Sequence, residues 1–287
     1  MLSRKNSMSI VPIRRSLLRI FFGKQLYRLI RYLLWLKKKN FYQLSTYKNK
    51  LPCSVIEHSS PLLRNLKNLE MIYQYNKIEN LKLAVAKLNN LVLEPGQIFS
   101  FWRNVGFPSR LKGYKMGFTL SQGKIKPGIG GGLCQLSNLI YWMSLHTPLT
   151  VIERYRHSYD VFPDSSRSLP FGSGATVSYN YIDLQIENRT AQRFQLSLDV
   201  GPDHLFGRWL SDYPLENRYE IREEGHRIDY SFNGIYSRHN RLIQVITNKK
   251  GDIVAENLVA QNDALMMYSP LLGDGKEVSR NHKTDIT

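Results

Sequence analysis

The residues best suited to covalent chemistry lie in the run Lys126-Pro127-Gly128-Ile129-Gly130-Gly131-Gly132-Leu133-Cys134-Gln135-Leu136-Ser137-Asn138. It delivers a thiol to the first turn of a predicted helix. Free backbone N–H groups and the positive end of the helix dipole favour thiolate over thiol there, which predicts a lowered pKa for Cys134. A nucleophilic cysteine also needs a base, and donors for a developing oxyanion. His157, just after a predicted strand at 150–153, is the candidate base. Backbone amides of Gly130, Gly131 and Gly132, or the Gln135 side chain, are the candidate oxyanion donors. For a third, orienting group the sequence leaves Asp160, Asp183 and Glu187 open, with Asp183 taken into the candidate catalytic set.

A plainer reading of the same residues competes. A cysteine at the start of a helix often serves as a small core residue. Three glycines can simply allow a helix to pack closely on a strand. The run lacks the Gly-Lys-Ser/Thr ending of a phosphate loop. Cys53 and Cys134 lie 81 residues apart in unlike settings, so no shared disulfide is expected. Nothing in the spacing of Cys and His suggests a metal, and no cofactor is expected.

The elements around this run point to an α+β fold. Helical periodicity over 65–90 ends at Pro95-Gly96, and 97–101 alternates like a strand. Leu136, Leu139, Ile140 and Met143 give one apolar face to a central helix over 133–145, closed by Pro148. Strands are then predicted at 150–153, 175–183, 192–200, 220–230, 234–238, 242–247 and 252–259, with a hairpin turn at Asn248-Lys249-Lys250-Gly251-Asp252. The C-terminal half therefore reads as a mostly antiparallel β region.

Charge divides the chain. Net charge is +17, and residues 1–64 carry 14 Lys/Arg against the single acid Glu57. A basic arm beside a nearly neutral domain argues against nucleic-acid binding, where the folded reader itself carries the charge. Over 16–39 the cations interrupt every apolar run before the ~20 residues a spanning helix needs. Lys24, Arg28, Arg31 and Lys38 fall on one helical face and Leu26, Leu29, Ile30, Leu33 and Leu36 on another. That pattern predicts a cationic amphipathic helix on an anionic membrane surface, with no cleavable signal and no indication of which side of the membrane. The expected organisation is a basic helical arm at 1–40, a linker at 41–64, an α+β domain at 65–275 and a flexible tail at 276–287.

Several ordered motifs carry a family resemblance. They are Gly130-Gly131-Gly132-Leu133-Cys134-Gln135-Leu136-Ser137, then Val151-Ile152-Glu153-Arg154 with His157-Ser158, then Ala175-Thr176-Val177 and Tyr181-Ile182-Asp183. Leu93-Glu94-Pro95-Gly96-Gln97-Ile98-Phe99-Ser100-Phe101 precedes them. Together they resemble the VanW family across roughly residues 66–270. The resemblance implies a link to glycopeptide (vancomycin B-type) resistance and a peptidoglycan stem peptide or precursor as partner. It further implies cysteine-dependent L,D-transpeptidase chemistry, with Cys134 as nucleophile, His157 as its base, and Ser137, Arg154 and Ser158 on the substrate side. Where the family commonly has Arg-Asp-Ala-Thr, this chain has Ser173-Gly174-Ala175-Thr176. It resembles the short stand-alone branch, for which a non-catalytic accessory or cell-wall ligand-binding role is the second expectation.

Overall fold

The computed structural model describes residues 16–42, 44–63, 70–121, 124–157, 159–161, 169–231 and 234–268. The expected tail at 276–287, the first fifteen residues of the arm and Ser158 lie outside them. Within them the fold is α+β, as the sequence pattern predicts. The arm forms helix α1 (Leu17–Lys37), capped by the Ser16 hydroxyl, which accepts from the Arg19 amide at 3.3 Å. No described helix is long and apolar enough to cross a membrane. Helix α1 docks on the domain through Trp35, which is buried in the core, and through Arg31.

Part of the expected linker is a strand. After the short β1 (Ser45–Thr46), residues Cys53–Pro61 form β2, the edge of a five-stranded antiparallel sheet. The other members are β3 (Leu91–Leu93), β10 (Phe194–Val200) and β11 (His204–Ser211), in the order β1-β3-β10-β11-β2. An edge strand is half solvated, so β2 can carry Ser54, Glu57 and His58 on either side of Val55 and Ile56 and still pair with β11 along its length, with one bulge at Val55. Its polar composition and flanking prolines made it look like a linker.

Helix α2 (Met71–Leu88) packs on β10, burying Leu81, Ala84, Val85 and Leu88. Helix α4 (Cys134–Ser144) packs on β11 and β2. Gly207 makes this approach possible, since a Cβ there would lie 2.6 Å from Met143 Cε. Between these helices run β4 (Ile98–Ser100), the short α3 (Phe101–Val105) and the hairpin β5 (Met116–Ser121) with β6 (Lys124–Ile129). Beyond α4, β7 (Thr150–Glu153) joins β4 and β9 (Gln185–Glu187) in a three-stranded sheet.

The C-terminal β region is a long meander of β12 (Arg218–Tyr230), β13 (Tyr236–Thr247) and β14 (Ile253–Met266). A short β8 (Tyr159–Asp160) adds to β14 in parallel. The predicted turn is present between β13 and β14, where the Asn248 amide donates to Asp252 O and Gly251 takes φ +92°. Residues 234–238 and 242–247, read as two strands, are one. The predicted strand at 175–183 is instead a loop with a single bridge, Ser178 to Ile182, closed around Asn180 at φ +56°. Its backbone is held by side chains and other loops, so apolar alternation there does not report a ladder.

Candidate functional site around Cys134

The glycine run is required by packing. Helix α4 starts where the β5–β6 hairpin meets α2, and the glycine turn that leads into it is wedged between them. A Cβ on Gly131 would lie 2.3 Å from Gly117 C, and one on Gly132 would lie 2.1 Å from Lys77 Cγ. Gly130 and Gly132 also take φ of +70° and +94°, which side chains disfavour. Asn80, fully buried in α2, clamps the junction. Its Nδ2 donates to Gly131 O at 3.0 Å and Lys115 O at 3.1 Å, while its Oδ1 accepts from the Lys115 amide at 2.8 Å. Two of the amides proposed for an oxyanion are already engaged, Gly130 N with Lys115 O and Gly131 N with Gly128 O.

From this start α4 grips the loop that follows Gly174. Ser137 Oγ donates to Ala175 O at 2.6 Å, and Asn138 Oδ1 accepts from the Ala175 amide at 2.7 Å. Cys134, partly buried, donates its thiol proton toward Val177 O at 3.8 Å. Burial pushes the Cys134 pKa up, so the thiolate expected from the helix dipole is reversed: desolvation outweighs the helix end. At neutral pH this sulfur carries its proton. Cys53 is also a free thiol.

His157 follows β7 and is partly buried. Burial, reinforced by Arg156, pushes its pKa down to about 4, so its imidazole is neutral at pH 7. Among the described residues no hydrogen bond joins His157 to Cys134 or to Asp160, Asp183 or Glu187. Asp183 is fully buried and caps α3. It accepts from Ser100 Oγ at 2.5 Å and from the Trp102 amide at 3.0 Å, and burial pushes its pKa up to about 6. Asp160 receives bonds from Arg238 and Tyr268, and Glu187 from Arg189. None of the three acids therefore orients His157 in this arrangement.

The remaining candidates act as struts. Gln135 Nε2 donates to Ser60 Oγ and Pro61 O, both at 2.9 Å, tying α4 to the end of β2. Arg154 stacks over the Tyr141 ring at 4.9 Å and donates to Gly174 O at 2.9 Å and to Gly172 O. At the departure from the family run, a Cβ on Gly174 would sit 2.8 Å from Asn138 Oδ1, so a side chain there would press on the clamp that holds Ala175. The sequence reading missed Asn80 and Asn138. The signal for Asn80 was a polar residue inside the apolar face of a helix; Val177 O, a backbone atom, left none.

The geometry places the cysteine, the glycines and the 174–177 loop in one knot, and known proteins carry the same stretch. The family described as "VanW like protein" matches residues 76–210. The "Vancomycin B-type resistance protein VanW" of Enterococcus faecalis (strain ATCC 700802 / V583) is 34% identical over 218 residues, covering 76% of this chain and 79% of that protein. This chain belongs to the VanW family. "Uncharacterized protein YoaR" of Bacillus subtilis (strain 168) is 32% identical over 120 residues, 41% of this chain and only 37% of its own length. No solved structure matches. The VanW match begins within α2 and ends within β11, so it includes the whole Cys134 knot but neither α1 nor the β12–β14 meander.

Proposed function

We propose that this VanW-family chain acts on peptidoglycan stem peptides or their precursors in glycopeptide resistance, by acyl transfer through Cys134 in the manner of a cysteine L,D-transpeptidase. One observation carries the reading. A thiol stands at the amino end of a buried helix, inside the segment shared with a relative named for vancomycin B-type resistance.

In the proposed reaction the Cys134 proton passes to His157 and the sulfur attacks the carbonyl carbon at position three of a tetrapeptide donor. The C–N bond to the terminal D-Ala breaks as His157 returns the proton to the leaving amine. An acceptor amine then attacks the thioester and gives its proton to His157. The C–S bond breaks, and the departing thiolate takes that proton back. His157 is neutral and can accept a proton, but with its pKa at about 4 it is a weak base. The resting thiol is protonated and turned to Val177 O, so donor binding must both raise the basicity of His157 and exchange that bond for one to His157. A cross-link made this way does not need the D-Ala-D-Ala end that glycopeptides sequester.

The second reading, an accessory or ligand-binding protein without turnover, is favoured by the glycine packing and by the engaged Gly130 and Gly131 amides. The two separate by intact mass after incubation with a tetrapeptide muropeptide donor. Acyl transfer gives an adduct on Cys134 that is absent from Cys134→Ala. No adduct, with unchanged glycopeptide resistance in Cys134→Ala cells, moves the assignment to the accessory role.

A further inference from the structure

Helix α1 is folded onto the domain with its central charges inward. Between Phe21 and Leu36 the charged residues are Lys24, Arg28 and Arg31. Lys24 Nζ lies over the Tyr181 ring at 5.5 Å, Arg28 Nε donates to Tyr179 O at 3.2 Å, and Arg31 pairs with Glu153. The amphipathic pattern is thus inverted relative to the sequence expectation. The cationic face is held by tyrosines, a carbonyl and a carboxylate, and cannot also serve as the face that meets lipid phosphates.

The opposite face is apolar and, among the described residues, solvent-exposed. Leu18, Phe22, Leu26, Leu29, Leu33 and Leu36 are between 56% and 73% exposed. With Phe21, Ile30 and Leu34, all also exposed, the apolar residues sweep roughly 200° at about 100° per residue. A partner helix covers only the narrow a/d seam of such a surface, whereas an acyl layer covers a broad one. The face is charge-free along its middle and ends in exposed cations, Arg19 at one end and Lys37, Lys38 and Lys39 at the other. Apolar in the middle and cationic at the rims is the pattern that fits an anionic bilayer interface.

We propose that α1 lies in the plane of an anionic membrane, with its leucine and phenylalanine face in the acyl boundary and its Lys24–Arg28–Arg31 face bonded to the domain. The helix is then a rigid float, and the domain rides directly on the bilayer. This goes beyond the acyl-transfer reading and does not depend on it.

Flotation of the full chain tests it, using vesicles of phosphatidylcholine with and without 30% phosphatidylglycerol. The expected result is flotation with the phosphatidylglycerol vesicles, reduced at least about 10-fold in Leu26→Asp/Leu33→Asp. Those two positions are solvent-facing, so the variant should keep its far-ultraviolet circular dichroism and thermal midpoint. Lys24→Gln should bind as the parent does, because that charge faces the domain. No flotation, or flotation unchanged in the double variant, overturns the proposal. So does a dimer in sedimentation velocity without lipid that the double variant dissociates, since the face would then belong to a second copy of the chain.

Discussion

Arg31 of α1 and Glu153 at the end of β7 form a forked ion pair across 122 residues of sequence, with both side chains less than one-fifth exposed. Glu153 also accepts from the Asp183 amide at 3.2 Å, so one carboxylate joins the N-terminal helix to the loop that carries Asp183. Removing one partner leaves the other charge partly buried. Arg31→Gln should cost roughly 2–3 kcal/mol, less than the ~3–5 of a fully buried pair. Hydrogen exchange should then quicken in 17–37 well before the sheets respond. Uniform loss of protection across the chain would show that α1 is not a separable unit.

The glycines at the start of α4 supply a second prediction. Gly131→Ala sets a methyl against the backbone of Gly117, which cannot rotate away, so a loss of at least ~3 kcal/mol or insoluble protein is expected. Gly96 also has a positive φ, +77°, but meets nothing within 4 Å; alanine there should cost only about 1 kcal/mol. Thermal melts of the two variants compare a steric cost with a purely conformational one. Equal shifts would mean that the Gly131–Gly117 contact does not constrain the fold.

The state of the thiol supplies a third. Because burial raises the Cys134 pKa, its alkylation by iodoacetamide at pH 7 should be slower than in the urea-unfolded chain and should keep rising past pH 9. Peptide mass mapping separates it from Cys53. A rate that stays level down to pH 6 would reveal a resting thiolate and contradict the hydrogen bond to Val177 O.

What the sequence disclosed, and what it hid, follows from where each element's partners lie. Helix α4 and strand β7 were legible because periodicity and Pro148 are local signals. The pairing of β2 was not, because an edge strand's partners are remote and its own residues are polar. Ser237, Arg238, His239 and Asn240 broke the apolar pattern of β13, yet all four are buried: His239 bonds Asp263 at 2.5 Å and Asn240 bonds Phe171 O at 2.7 Å. The motif around Cys134 was plain, but its electrostatics were not. Residue types at a helix end predict a thiolate, and only the burial of the sulfur beside Val177 O reveals the desolvation that reverses it.

His157 and Asp183 should give the chain opposing pH dependences. His157 falls from 6.5 to about 4 on folding, so between those values the unfolded chain binds the extra proton and stability rises with pH. Asp183 goes the other way. Its pKa rises from 3.8 to about 6, so its contribution is full below about 3.8 and is lost as pH rises through 6. In the parent chain the two largely cancel from pH 4 to 6. Asp183→Asn keeps an acceptor for the Trp102 amide and removes the titration. Its stability should therefore climb by roughly 2–3 kcal/mol from pH 4 to 6.5, taking about 1.4 kcal/mol per pKa unit with a discount for partial exposure. His157→Gln should decline over the same range, so the two profiles cross. Urea midpoints at pH 4.5, 5.5 and 6.5 read this directly, and parallel curves for parent and both variants would show that neither group is shifted by its burial.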